Sequence, residues 1–203
     1  MTDKVGVFTW RISVQKPGTT AEIDIRSERV GMAEFHRDPF WAERAFGEEL
    51  KALRRAGVSA LDVLLDSTGG SVAYANGIAG ALGSWKGPKR LLIDGRCLSA
   101  ATLILCIPKW DDAAITYRSM VMIHKPRTEI FAKDRTGLWR WIGEKQKERT
   151  VKIFRDIYMG RTGVDRATAE GWLASGKTFR ADQAVAVGLC DRLAGRAEWL
   201  KER

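Results

Sequence analysis

The sequence predicts an α/β fold built on a largely parallel sheet. Segments with strand character alternate with segments of helical length along most of the chain, the pattern that lays helices over a parallel sheet. Two of the strand segments, "DVLL" at 62–65 and "RLLI" at 90–93, carry consecutive apolar residues rather than an alternation, as expected of parallel strands covered on both faces. The 203 residues are enough for one sizeable core and fit a single domain, residues 1–203.

Each element follows from local pattern. Glu22 to Arg26 alternate as "EIDIR", a strand. "HRDPFWAERAFGEELKALRRAG" predicts a helix, with Asp38 a candidate N-cap and Pro39 in the first turn. Its apolar stripe is Ala42, Phe46, Leu50 and Leu53, and Gly57 supplies the stop. "ALDVLLDSTGGS" reads as a buried strand running into a glycine turn, and "VAYANGIAGALGSW" as a helix whose small residues suit close packing. A strand, "KRLLIDG", a turn at "RCL" and a helix led by Ser99 follow. "DAAITY" and "MVMIH" read as two strands around a turn at Arg118–Ser119. The polar-rich segment from about Lys133 to Gly160 reads as an extended helix with a break near Gly143.

Composition excludes several classes of function. An apolar content of 45% with 29% charged residues argues against disorder. No apolar run approaches the roughly 20 residues of a membrane span, and the N-terminus has no signal-peptide core. The odd set Cys97, Cys106 and Cys190 reads as reduced residues, two of them in apolar surroundings, which points to the cytoplasm. An excess of 34 basic over 25 acidic residues permits attraction to a polyanion, but the basic residues are dispersed and no nucleic-acid-binding signature accompanies them. A solvated basic surface is expected, with neither nucleic acid nor membrane as partner. No His, Cys and Asp cluster has metal-ligand spacing, so neither metal nor other cofactor is expected.

The polar chemistry concentrates in three places. "DGRCLSAATLILC" sets Ser99 before an apolar helical run, where a serine is either an N-cap or a nucleophile beside free amides. Of two histidines, His36 sits among charges and reads as a surface residue, whereas His124 ends "MVMIH". A strand-end histidine either bonds the backbone or acts as a general base. "DSTGGSVAY" lacks the pattern of a phosphate loop, but paired glycines between strand and helix can expose N–H groups toward an oxyanion.

The order "DSTGGS", "GRCLSAA", "MVMIHKP" resembles the Clp protease proteolytic subunit family, including phage and prophage relatives that process capsid or scaffold proteins in head maturation. Gly70 precedes Ser99 by 29 residues and Ser99 precedes His124 by 25, intervals similar to the family's. "TGVDRATAEGWLASGKTFRADQAVAVGLCD" resembles its C-terminal stretch, so the likeness spans about residues 58 to 193. The resemblance implies a serine endopeptidase with Ser99 as nucleophile and His124 as general base. It puts the oxyanion donors at the backbones of Gly70 and Ala100. It implies a crotonase-like spiral of ββα units with a protruding handle helix, about 133–160, in which Trp139, Trp141, Ile142, Phe154 and Tyr158 offer apolar area. It further implies a ring-shaped homo-oligomer acting on polypeptides, a capsid or scaffold protein among them.

The sequence departs from that family at three points. The position of the acidic third member falls on Gly176, and removing the acid from such a triad costs roughly 10⁴ in turnover. Asp165, Glu170 and Asp182 lie nearby, but helix starts explain the two aspartates and a solvated face the glutamate. Thr68 replaces the family's usual proline in "STGG", and the N-terminus lacks its axial-loop sequence, which speaks against docking to a hexameric ATPase. Three readings therefore stand: a peptidase working through a Ser–His pair or a triad closed by an acid from elsewhere in the chain, an assembly protein that kept the fold and lost activity, and an acyl-CoA enzyme of the crotonase superfamily.

Overall fold

The computed structural model describes residues 4–14, 19–31, 41–126, 131–133, 139–141 and 144–202. An N-terminal hairpin pairs β1 (Lys4–Val14) antiparallel with β2 (Thr20–Gly31). From β2 onward the main sheet is parallel: β3 (Ala60–Ser67) joins β2, β4 (Lys89–Leu98) joins β3, and β5 (Asp112–Ile115) joins β4. Helices α1 (Trp41–Arg55), α2 (Val72–Ser84) and α3 (Ala101–Cys106) make the crossovers between them.

The predicted stripe of α1 is the buried one: Ala42, Phe46, Leu50 and Leu53 all face the core. After Arg55 the helix closes as foreseen at Gly57, whose N–H reaches Arg54 O at 3.1 Å while Val58 N–H reaches back to Leu53 O at 3.0 Å. Asp38, Pro39 and His36 lie outside the described residues. The small residues of α2 also serve close packing, since a Cβ on Gly77 would lie 2.8 Å from the Glu43 Cβ of α1. Trp10 ties the hairpin to α1, donating to Glu49 at 3.0 Å and meeting Phe46 edge-on at 5.2 Å.

Both faces of the parallel strands are covered, which explains their consecutive apolar residues. Val63, Leu65, Leu91 and Ile93 join the main core, whereas Leu64, Leu92 and Ala114 pack with Ala194 and Trp199 on the other side. That second layer is closed by β10 (Arg192–Leu193), parallel to β5, and by α7 (Arg196–Trp199). Trp199 Nε1 donates to Asp112 at 3.2 Å, and the Arg90 guanidinium lies 4.4 Å above the indole.

Two expectations are corrected. "RCL" is not a turn, because β4 continues through it to Leu98 after an irregularity at Asp94–Gly95. Asp66 causes the break: its Oδ1 accepts the Arg96 N–H at 2.9 Å, and a Cβ on Gly95 would lie 2.6 Å from its Cγ. Before the break β4 pairs with β5; beyond it Arg96–Leu98 pair with β6 (Met120–Met122). The second correction concerns Lys133 to Gly160. An antiparallel pair, β7 (Phe131–Lys133) and β8 (Trp139–Trp141), precedes the helix, and α4 spans Glu144–Thr162. The "WRW" alternation carries strand propensity that outweighs the helical reading, while Ile142 and Gly143 lie outside the described residues. Phe154 and Tyr158 are buried in this chain's own core rather than offered to a partner.

Past α4 come α5 (Arg166–Ser175), β9 (Thr178–Arg180) and α6 (Ala181–Ala186). Strand β9 pairs antiparallel with β6, so the second half of β4, β6 and β9 form a branch of the sheet.

Candidate active site

The branch brings Ser99 and His124 together. Beyond β4 the chain turns sharply at Ser99, whose φ of +56° is the one left-handed value at a residue other than glycine among those described. Its N–H donates to Met122 O at 2.8 Å, and its carbonyl accepts from Thr102 N at 3.0 Å and from Thr102 Oγ1 at 2.6 Å. The hydroxyl does not cap α3, whose N-cap is Ala100 with no side-chain cap bond. It lies instead 2.7 Å from His124 Nε2. The cap reading of Ser99 is thereby corrected: its backbone occupies the helix entrance and its side chain points to an imidazole.

His124 is held by its neighbours' backbones. The β6–β9 pairing carries on past Met122, with Ile123 N–H donating to Lys177 O at 2.9 Å, and Lys125 N–H then reaches Leu173 O in α5 at 3.0 Å. Continuing that register sets Gly176 opposite His124. For Nε2 to accept the Ser99 proton, the ring's own proton must sit on Nδ1. No described residue forms a hydrogen bond or ion pair with Nδ1.

The three nearby carboxylates are engaged elsewhere, as the sequence suggested. Asp165 caps α5 by accepting the Thr168 N–H at 2.7 Å, and Glu170 is bound by Arg166 at 2.8 Å and Arg155 at 3.1 Å. Asp182, in the first turn of α6, lies 3.6 Å from Arg180. Gly176 is the left-handed C-cap of α5.

The glycine loop closes the other side. Thr68 N–H donates to Ser27 Oγ at 2.9 Å and Gly69 N–H to Ser67 Oγ at 3.1 Å. Gly69 is wedged against the elbow: a Cβ there would meet Leu98 O at 2.5 Å, the Ser99 Cβ at 2.9 Å and Ala100 N at 3.0 Å. The amides of Gly70 and Ala100 donate to no acceptor among the described residues. Unspent amide donors beside a hydroxyl–imidazole pair are the kind of group that can stabilise an oxygen on which negative charge develops.

Sequence reasoning missed the supports of this arrangement. Thr102 sits unmarked within the apolar run after Ser99 and Tyr158 reads only as apolar area, yet their hydroxyls lie 2.7 Å apart. The cysteines take no part. Burial pushes the Cys97 thiol well up and the Cys106 thiol up to about 12, so both stay protonated, and all three are free. Among the described residues no group of His, Cys, Asp or Glu could hold a metal ion, and no helix is long and apolar enough to cross a membrane.

The chain is similar in fold to solved structures of proteases. A variant of ClpP1 from Listeria monocytogenes superposes with a TM-score of 0.63 at 15% identity, covering 76% of this chain and 85% of that one. The 1510-N membrane-bound stomatin-specific protease, in a variant complexed with a substrate peptide, gives 0.62 at 14% identity over 93% of this chain and 80% of its own. A serine-to-alanine variant of the same protease gives 0.62 at 14%, with 94% and 86% covered. These likenesses bear out the mixed α/β, ClpP-like architecture. The model of the Clp protease family matches residues 43–197, which takes in β3, the glycine loop, the Ser99 elbow, His124 and α5 through β10, and on that match the chain belongs to the Clp protease family.

Proposed function

We propose that the chain is a serine endopeptidase in which Ser99 is the nucleophile, His124 the general base, and the amides of Gly70 and Ala100 the oxyanion donors. The observation that carries this reading is the 2.7 Å approach of Ser99 Oγ to His124 Nε2. As Oγ attacks a peptide carbonyl carbon, its proton passes to Nε2 and the carbonyl electrons move onto oxygen. The oxyanion is met by the two N–H groups, each worth about 10²–10³ in rate. Collapse expels the amine, which takes the proton from Nε2 and leaves an ester on Ser99. Water, deprotonated by the same nitrogen, then releases the acid and restores the serine. A Ser–His pair working without a carboxylate on the imidazolium turns over slowly beside a full triad, and among the described residues no carboxylate bonds to His124. The substrate is a polypeptide, and family membership supports action within a homo-oligomeric ring; a cytoplasmic setting rests on the reading of the cysteines as reduced. Processing of a prophage capsid or scaffold protein, without an ATPase partner, rests on the sequence resemblance.

Gly176 favours a second reading, a ClpP-fold assembly protein that has lost activity. Covalent labelling with a fluorophosphonate separates the two. Labelling of the wild type that disappears in Ser99→Ala and falls sharply in His124→Ala supports the peptidase. An intact, unlabelled wild type rejects it in favour of the assembly protein.

A further inference from the structure

The left-handed backbone at Ser99 is disfavoured for an L residue and persists only where its surroundings hold it. Part of that hold is a buried chain of hydroxyls. Thr102, wholly buried on α3, gives its proton to the Ser99 carbonyl at 2.6 Å. Its oxygen lies 2.7 Å from the hydroxyl of Tyr158, which is buried on α4. Thr102 has one proton and spends it on Ser99, so the phenol is the donor. Burial, raising the Tyr158 pKa, keeps that phenol protonated. A phenylalanine would fill the same space without needing a partner, so the hydroxyl's place in the core depends on this bond.

The carbonyl that Thr102 holds belongs to the same planar peptide unit as the Ala100 N–H, and the two point in opposite directions. Drawing the carbonyl toward α3 therefore aims the amide away from it, toward the site. We infer that Thr102 and Tyr158 are positioning residues that hold the Ser99–Ala100 peptide plane, and with it both the nucleophile and one oxyanion donor. The inference rests on the reading of Ser99 as nucleophile. Its expected signature is an effect on turnover with little on substrate binding, because an oxyanion donor acts in the transition state.

The test compares wild type with Tyr158→Phe, Thr102→Val and Thr102→Ser. The readouts are kcat and KM on an unstructured peptide, the fluorophosphonate labelling rate, and deuterium uptake across residues 97–105. Tyr158→Phe is expected to lower kcat and labelling roughly three- to tenfold, and Thr102→Val up to about a hundredfold, with KM unchanged. Thr102→Ser, which keeps the hydroxyl, should stay near wild type. If Tyr158→Phe lowers the melting temperature while kcat and labelling hold, the hydroxyl only fills the core and the inference is overturned. Should Thr102→Val fail to fold, Tyr158→Phe decides alone. An unlabelled wild type rejects the nucleophile reading separately, and uptake then judges the hold: faster exchange at Ser99–Leu103 in Tyr158→Phe supports it, and unchanged exchange refutes it.

Discussion

Gly176 faces His124 directly: a Cβ built on the glycine would lie 3.8 Å from the histidine Cβ, on backbone with a φ of +68°. The position that the sequence resemblance assigns to a triad acid is therefore next to His124, but carries no side chain to orient its ring.

Restoring the acid there should raise activity. Aspartate tolerates left-handed backbone better than most residues, at a cost of about 1 kcal/mol. Gly176→Asp is expected to increase kcat at least tenfold, toward the roughly 10⁴ that a triad acid contributes, and Gly176→Asn is expected to bring no such gain. Steady-state peptide hydrolysis by the two variants checks this; equal rates would show that position 176 cannot serve His124.

The glycine loop should tolerate no Cβ at its tight point. In Gly69→Ala the new methyl meets Leu98 O at 2.5 Å on backbone with a φ of +87°. Relief must move the Ser99 elbow, so labelling should fall about a hundredfold or more and the melting temperature should drop. Gly80→Ala is the contrast. That α2 glycine has nothing within 4 Å of a built Cβ, and the change should stabilise by about 1 kcal/mol with labelling unaltered. Thermal unfolding and labelling of the two variants check the pair.

Acid should loosen the break in β4. Burial alone would raise the Asp66 carboxyl. Hydrogen bonds from the Arg96 amide and guanidinium, with the charges of Arg96 and Arg26, outweigh it and hold the group below its ordinary value of 3.8. A depressed carboxylate contributes stability that is present above its unfolded pKa and lost as pH falls through the folded one. Melting temperature should therefore decline below about pH 4, and Asp66→Asn should flatten that decline while lowering stability at neutral pH. Unfolding curves from pH 7 to pH 2 measure both, and an unchanged slope in Asp66→Asn would remove Asp66 from the acid response.

Closure of the second core layer rests on Trp199, fully buried against Leu64, Leu92 and Ala114. Trp199→Ala should cost about 3–5 kcal/mol, read by denaturant unfolding. Under native conditions the folded fraction should label with fluorophosphonate at the wild-type rate.

What could be read from the sequence was whatever depends on neighbours along the chain. The stripe of α1 and the double-sided runs of β3 and β4 follow from periodicity, and "STGGS" announces a turn because two adjacent glycines have few other uses. The continuation of β4 through "RCL" was hidden because Asp66, 30 residues earlier, makes the break at Gly95. The Thr102–Tyr158 bond joins residues 56 apart, and no local pattern reports it. Ser99 was ambiguous for a similar reason: only the approach of His124 decides that its hydroxyl turns away from the helix end. In 133–160 the local signal was itself mixed, since aromatic alternation at "WRW" competes with a polar sequence of good helix formers.

The irregularity in β4 has a consequence for motion. Asp94 and Gly95 belong to neither ladder, so β4 is bonded to β5 on one side of them and to β6 on the other. A fluctuation that frees β5, β10 and Trp199 can halt at this seam, while the stretch leading into Ser99 stays laced to β6, and β6 in turn to β9. The sheet thus has two places to let go, and amides of the far edge can exchange with solvent while the hydroxyl and the imidazole keep their distance.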